Sequence, residues 1–163
     1  MQSISSTQTL SLATGAKEGG PPVSDGAESR TIAPVDAEAA ARAWIDGWTR
    51  AWRALDAELL TPVYTADAVH RSHPYREPQH PLDYARWALA EEEGEPEVWM
   101  GEPLVEGDRA AVEWWACVID NGKPVSYAGT SWLRFDSKGL VAEQHDYWGE
   151  APGRVAPWEG WGA

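Results

Sequence analysis

The dipeptide Asn121-Gly122 limits what this chain can fold into more than any other pair of its residues. Asn-Gly between two alternating apolar segments suits a two-residue hairpin loop, because both loop positions take positive φ. It makes residues 110–119 and 125–135 neighbouring antiparallel strands. A turn at Gly107-Asp108 leads into the first of them, and a turn at Asp136 to Gly139 leads from the second into a last strand, 140–148. A further strand over 97–105 is interrupted by Gly101 and Pro103, as expected of a bulge or a sheet edge.

The preceding half reads as helices. Asp36 is placed to cap an Ala-rich segment in which Trp44, Trp48 and Trp52 recur every fourth residue, putting three indoles on one helical face. Such a stripe is first a core face, and it becomes a cavity wall where the helix closes over a pocket. A short helix follows over 56–61 and a short strand over 68–72. Pro74, Pro78 and Pro81 then make a loop, and a helix runs over 82–92 with Tyr84, Trp87 and Ala88 inward, its end marked by Gly94 and Pro96. Helices followed by an antiparallel meander predict an α+β domain with the helices on one face of a bent sheet.

Composition sets the outer bounds. The chain has 163 residues, which suits one domain. Residues 1–35 carry no aromatic residue and are rich in Ser, Thr, Gly and Pro, which predicts a flexible tail; all 11 Trp follow it, so the folded domain is 36–163. A net charge of -13 argues against a nucleic-acid or anionic-membrane surface, since phosphate binding needs clustered Lys and Arg. Cys117 is the single cysteine, so an intrachain disulfide is ruled out. No apolar run approaches the ~20 residues that span a bilayer. The N-terminus lacks the pattern of a secretory signal, which makes the cytoplasm the expected location.

All four histidines fall in two places: His70, His73 and His80 in HRSHPYREPQH, and His145 at the start of His145-Asp146-Tyr147-Trp148. Histidine titrates near neutral pH, and a carboxylate brought beside it can make an acid/base site. Pairing Asp120 with Lys123 and Phe135 with Leu140 aligns Trp114, Gly129 and Asp146 on one face. Glu113, Thr130 and His145 then share the other. Asp146, rather than His145, is the expected pocket residue. His145 is expected on the outer face, pairing with Glu143 or Glu113 or lying in a dimer contact, and Glu91-Glu92-Glu93 is expected to be a solvated helix end. Metal binding by the histidines lacks helical HExxH spacing and a second ligand set, so neither metal nor cofactor is expected.

The order helix, YTADAVHRSHP, helix, and a meander ending in QHDYW resembles the SnoaL-like branch of the nuclear transport factor 2-like superfamily, over about residues 36–150. The resemblance implies a cone-shaped α+β fold, a deep apolar pocket between sheet and helices, and homodimers. Its members include polyketide cyclases, ketosteroid isomerase, scytalone dehydratase and limonene epoxide hydrolase. Set against the last, Asp146 matches the last-strand aspartate that acts as acid, and His70 and Ser72 fall where that enzyme holds its water. Its middle-strand Arg and Asp correspond to Trp114 and Ala116, so this chain lacks the groups for epoxide hydrolysis by that route.

The expected chemistry is therefore cofactor-independent proton transfer on a small apolar or aromatic molecule, as in cyclisation, isomerisation or dehydration. Asp146 and His70 are the expected catalytic pair. Ser72 and Tyr75 are expected polar contacts, and Trp44, Trp48, Trp87, Trp114 and Trp148 the expected walls of the substrate site. A carboxylate among indoles is desolvated, which suits it to acid/base work. A noncatalytic binder of the same fold is the alternative, because apolar walls with few polar groups describe both kinds of site.

Overall fold

The computed structural model describes residues 35–162, so the flexible tail expected over 1–35 lies, apart from Val35, outside the described residues. Helix α1 spans Ala37–Ala54, capped by the Asp36 carboxylate accepting from Ala39 N at 3.0 Å. It stops at Leu55, whose left-handed φ of 51° ends the helical run. A 3-10 helix over Ala57–Val63 leads into strand β1, Tyr64–Arg71. Helix α2, Pro81–Ala90, starts with Pro at its first position, where the missing N–H costs nothing. Five strands follow: β2 Glu92–Met100, β3 Leu104–Glu106, β4 Arg109–Asp120, β5 Lys123–Phe135 and β6 Val141–Pro152.

The strands form one mixed sheet in the order β1-β6-β5-β4-β2, with β3 also on β4. β2 to β6 make the expected antiparallel pairs, but β1 lies parallel to β6, so the sheet is not the wholly antiparallel one expected. The strand expected only from Glu97 begins at Glu92. Gly94 and Pro96, read above as a helix stop, lie inside β2 at a register shift between Glu93 and Glu97. Gly94 takes φ 79° there, and Pro96, without an N–H, is tolerated where ladder bonding lapses on an edge strand.

The core lies between α1 and the sheet. Ala41, Trp44, Trp48 and Ala51 of the helix pack with Leu60, Val112, Leu133, Phe135 and Val141, all buried. The indole stripe thus works as the core face that its spacing implied.

The turn-based register holds where it matters for the site. Asp120 pairs with Lys123 and Trp114 with Gly129. At the next turn Phe135 meets Val141 rather than Leu140, and Arg134 meets Glu143. The Asp136 carboxylate accepts from Lys138 N (2.8 Å) and Leu140 N (2.9 Å), which draws Leu140 into the turn. Two one-residue slips preserve the faces. Asp146 stays on the pocket face but sits opposite Ser131, and Trp148 takes the place opposite Gly129.

Gly129 has no room for a side chain. A Cβ there would stand 2.5 Å from Trp148 Cβ and from Tyr147 O. Gly129→Ala is expected to cost roughly 1–3 kcal/mol through overpacking of a rigid strand pair. Urea unfolding checks this, with a lowered midpoint at unchanged slope as the expected result.

Candidate functional site

Sheet and helices enclose a cavity of about 120 Å³, far above the roughly 10–15 Å³ that admits one water. Trp44, Trp48 and Trp52 of α1 line it, with Tyr84 and Trp87 of α2, Trp114 of β4, Tyr127 of β5 and Trp148 of β6. The five tryptophans expected as walls are all there. Tyr75 is not: it is 93% exposed on the loop after β1 and lies outside the cavity lining.

Asp146 reaches this cavity from β6 and is only 6% exposed. Its Oδ1 accepts from Ser131 Oγ at 2.7 Å and from Gln144 Nε2 at 2.9 Å, and its Oδ2 lies 2.7 Å from His70 Nε2. Ser131 and Gln144 are each oriented by further hydrogen bonds. Trp114 Nε1, which can only donate, gives its hydrogen to Ser131 Oγ at 3.0 Å, leaving the Ser131 hydrogen for Asp146. Trp44 Nε1 donates to Gln144 Oε1 at 3.0 Å, and Tyr64 donates to the same oxygen. The amide of Gln144 therefore has its oxygen toward α1 and its NH₂ toward Asp146. Trp48 Nε1 in turn donates to the Tyr64 hydroxyl at 2.7 Å.

His70 holds Asp146 from the rear. The ring is fully buried, stacks edge-on against Tyr84 with centroids 4.7 Å apart, and is not part of the cavity lining. Its Nδ1 has no hydrogen-bond partner among the described residues. With the hydrogen on Nε2, the ring donates to Asp146 and buries a bare acceptor. The other tautomer would bury an N–H without a partner, the costlier orphan. His70 thus contacts Asp146 from behind the cavity wall and does not itself line the cavity. Ser72 is also fully buried and outside the lining, and its hydroxyl is unpaired among the described residues. Its contribution is a backbone carbonyl that accepts from Trp148 Nε1 at 2.6 Å.

The remaining histidines do other work. His80 caps α2 through its ring, and His145 faces away, paired with Glu143 at 3.0 Å and stacked on Trp132. Among the described residues no three His, Cys, Asp or Glu side chains converge as a metal set would.

The cavity also holds polar groups that the sequence reading missed. Glu92, assigned above to a solvated helix end, lines it instead, partly buried, with Oε2 accepting from Trp52 Nε1 at 2.7 Å. Burial pushes its carboxyl up to about 7, aided by the charge of Asp120 across the β2–β4 pair and opposed by the Trp52 N–H. Burial, with the Asp146 charge added, also pushes the Tyr84 hydroxyl above its ordinary range. Burial and the nearby Asp120 raise Tyr127 to about 12. Both tyrosines therefore remain O–H donors at neutral pH.

A model of the SnoaL-like domain matches residues 41–144. The chain belongs to the SnoaL-like family. The match takes in most of α1, with β1, α2 and the sheet as far as Gln144, so it covers most of the cavity lining and ends just before Asp146 and Trp148. Among solved structures, the epoxide hydrolase/cyclase-like enzyme SalBIII, with a role in pyran ring formation in the polyether salinomycin, aligns with a TM-score of 0.61. Its identity is 13%, over 72% of this chain and 98% of its own. An LEH-like epoxide hydrolase from M. tuberculosis aligns with a TM-score of 0.55 at 15% identity, over 71% of this chain and 84% of its own. A Catenulispora acidiphila protein of ketosteroid isomerase-like fold, bound to trimethylamine, aligns at 0.54 with 17% identity, over 63% and 82%. At these identities the structures establish the shared fold. No curated protein matches the chain by sequence. No helix among the described residues is long and apolar enough to cross a membrane.

Proposed function

We propose that this SnoaL-like chain is a cofactor-independent enzyme that moves a proton on a small, largely apolar or aromatic molecule, with Asp146 as the acid/base. The observation that carries this reading is a carboxylate on the cavity wall fixed by Ser131, Gln144 and His70, with Ser131 and Gln144 oriented in turn by the indole N–H groups of Trp114 and Trp44. Such fixation keeps the carboxylate aimed at a bound molecule and removes the cost of reorienting it during reaction. Asp146 takes a proton from a carbon or hydroxyl of the substrate and returns it elsewhere, with the Tyr84 hydroxyl as donor to developing oxygen charge. Indole walls exclude water and make room for a ring system. A carboxylate acid/base beside a hydroxyl donor suits cyclisation, isomerisation and dehydration alike. Pairing into a homodimer belongs to the same reading, and light scattering at micromolar concentration checks it.

The enzyme reading is tested with a panel of aromatic and polyketide-like compounds. Binding is read from tryptophan fluorescence, and each binder is then recovered after incubation in D₂O for chromatography, mass and NMR. At least one binder is expected to return with a new retention time, a lost water or incorporated deuterium. Binders that all return unchanged would support a noncatalytic pocket protein instead.

A further inference from the structure

One corner of the cavity combines aromatic faces with carboxylates that pair with no cationic side chain among the described residues. Trp52 meets Trp48 edge-on with centroids 6.0 Å apart and Trp114 at 5.6 Å, which makes an indole corner beside Glu92. Among the described residues the carboxylates here take side-chain hydrogen bonds from neutral donors alone. Trp52 donates to Glu92, and Asn121 and Tyr127 donate to Asp120. Among the described residues, the charged groups lining the whole cavity are Glu91, Glu92, Asp120 and Asp146 against the single cation Arg76. That guanidinium is already spread over the rings of Trp87 (5.4 Å) and Trp148 (5.7 Å), which leaves the corner at Trp52 free of a cation.

We propose that the corner formed by Trp48, Trp52, Trp114 and Glu92 seats an ammonium group, so that the molecule bound in this cavity is an amine on an apolar or aromatic body. This rests on the reading that the cavity takes a small molecule, and it names the class. A neutral ligand at the corner would strip water from Glu92 without offering a counter-charge, which is costly. An ammonium group supplies that charge, and its carbon substituents meet the indole faces, whose electron-rich centres attract cations. A substituted ammonium fits better than a bare metal ion, because the walls are rings with few oxygen ligands.

The attraction depends on pH through Glu92. The titratable and charged groups that share the cavity lining with it are Asp120 of β4, Tyr127 of β5, Tyr84 of α2, Asp146 of β6, Glu91 beside it and Arg76 of the loop after β1. With its carboxyl at about 7, Glu92 gains its charge as pH rises through neutrality, and affinity for a fixed cation rises with it.

The test uses the full chain, choline, and the uncharged isostere 3,3-dimethylbutan-1-ol. Binding is measured by calorimetry and tryptophan fluorescence in about 0.15 M NaCl, which screens the general pull of an acidic protein. At pH 8 choline is expected to bind at least tenfold more tightly than the alcohol, and at pH 5.5 that preference is expected to shrink severalfold. Glu92→Gln should abolish the preference, whereas Glu92→Asp should keep most of it. Equal affinity for the two probes, tighter binding of the alcohol, or no measurable binding of choline overturns the proposal. The comparison on the unmodified chain decides by itself should a variant not fold. Conversion of neutral compounds in the panel alongside failure with choline would leave the proton-transfer reading standing and remove the amine.

Discussion

Asp146→Asn is expected to lower kcat on a converted substrate by roughly 100- to 10,000-fold while KM changes little, the usual size of a lost acid/base group. The change is nearly isosteric, so the cavity keeps its shape and its indole walls. What it removes is the capacity to hold a proton at one defined place. The amide oxygen can still accept from Ser131 and Gln144, as Asp146 Oδ1 does. The new NH₂ group replaces Oδ2 and faces His70 Nε2 at 2.7 Å, donor against donor. Relief requires His70 to carry its hydrogen on Nδ1, which has no partner among the described residues. Asp146→Asn is therefore expected also to lose about 1–3 kcal/mol of stability, the cost of a buried unsatisfied donor. Activity must be compared well below the midpoint of thermal unfolding, with fluorescence titration of the same substrate showing that binding survives. Undiminished turnover would take Asp146 out of the mechanism and, with it, the reading of this cavity as a proton-transfer site.

The placement of Asp146 was legible because local turn chemistry is read directly from residues. Asn121-Gly122 pinned Trp114 opposite Gly129, and alternation along β6 separated Asp146 from His145. The longer turn was not legible in detail, since the grip of Asp136 on Leu140 N is a side-chain choice that no dipeptide signals. Because the register slipped by two residues, the faces survived but the direct neighbour of Asp146 changed from Gly129 to Ser131. Ser131 and Gln144 were nevertheless within reach of the same reasoning. Gln144 precedes Asp146 by two residues on one strand, and Ser131 follows Gly129 by two on the next, so both share the pocket face. Glu92 was hidden for a different reason. Gly94 and Pro96 are strong local breakers, and only pairing with β4 shows that the chain passes through them as an edge strand. Parallel pairing of β1 with β6 is likewise a tertiary outcome, joining residues more than 70 positions apart. Tyr75 was misplaced because a Pro-rich loop carries no periodicity from which to infer the direction of a side chain.

Glu92→Gln is expected to stabilise the protein at pH 8 by up to about 3 kcal/mol and to have almost no effect at pH 4. The carboxyl of Glu92 sits at about 7 when folded, against 4.5 for an ordinary glutamate. Between those values the folded state holds a proton that the unfolded state has released, so stability falls as pH rises through that interval and levels off above about 7. A difference of about two and a half pKa units converts at 1.36 kcal/mol per unit to the figure given. Glutamine carries no charge at any pH, and its amide oxygen can still accept from Trp52 Nε1, so the variant escapes the penalty without giving up the contact. Glu58, Glu97 and Glu143, which are held below their ordinary range by Arg86, Arg154 and Arg134, make the absolute stability of both proteins fall in acid. Those effects are common to the pair and cancel in the difference, which is the quantity to measure by urea unfolding across pH 4 to 8. A difference that stays flat across that range would mean that Glu92 titrates as an ordinary surface carboxylate. A difference that grows with pH shows a residue retained at a cost to stability. Costs of that kind gather where a protein binds or reacts, because a group that was only structural would have gained from being neutral.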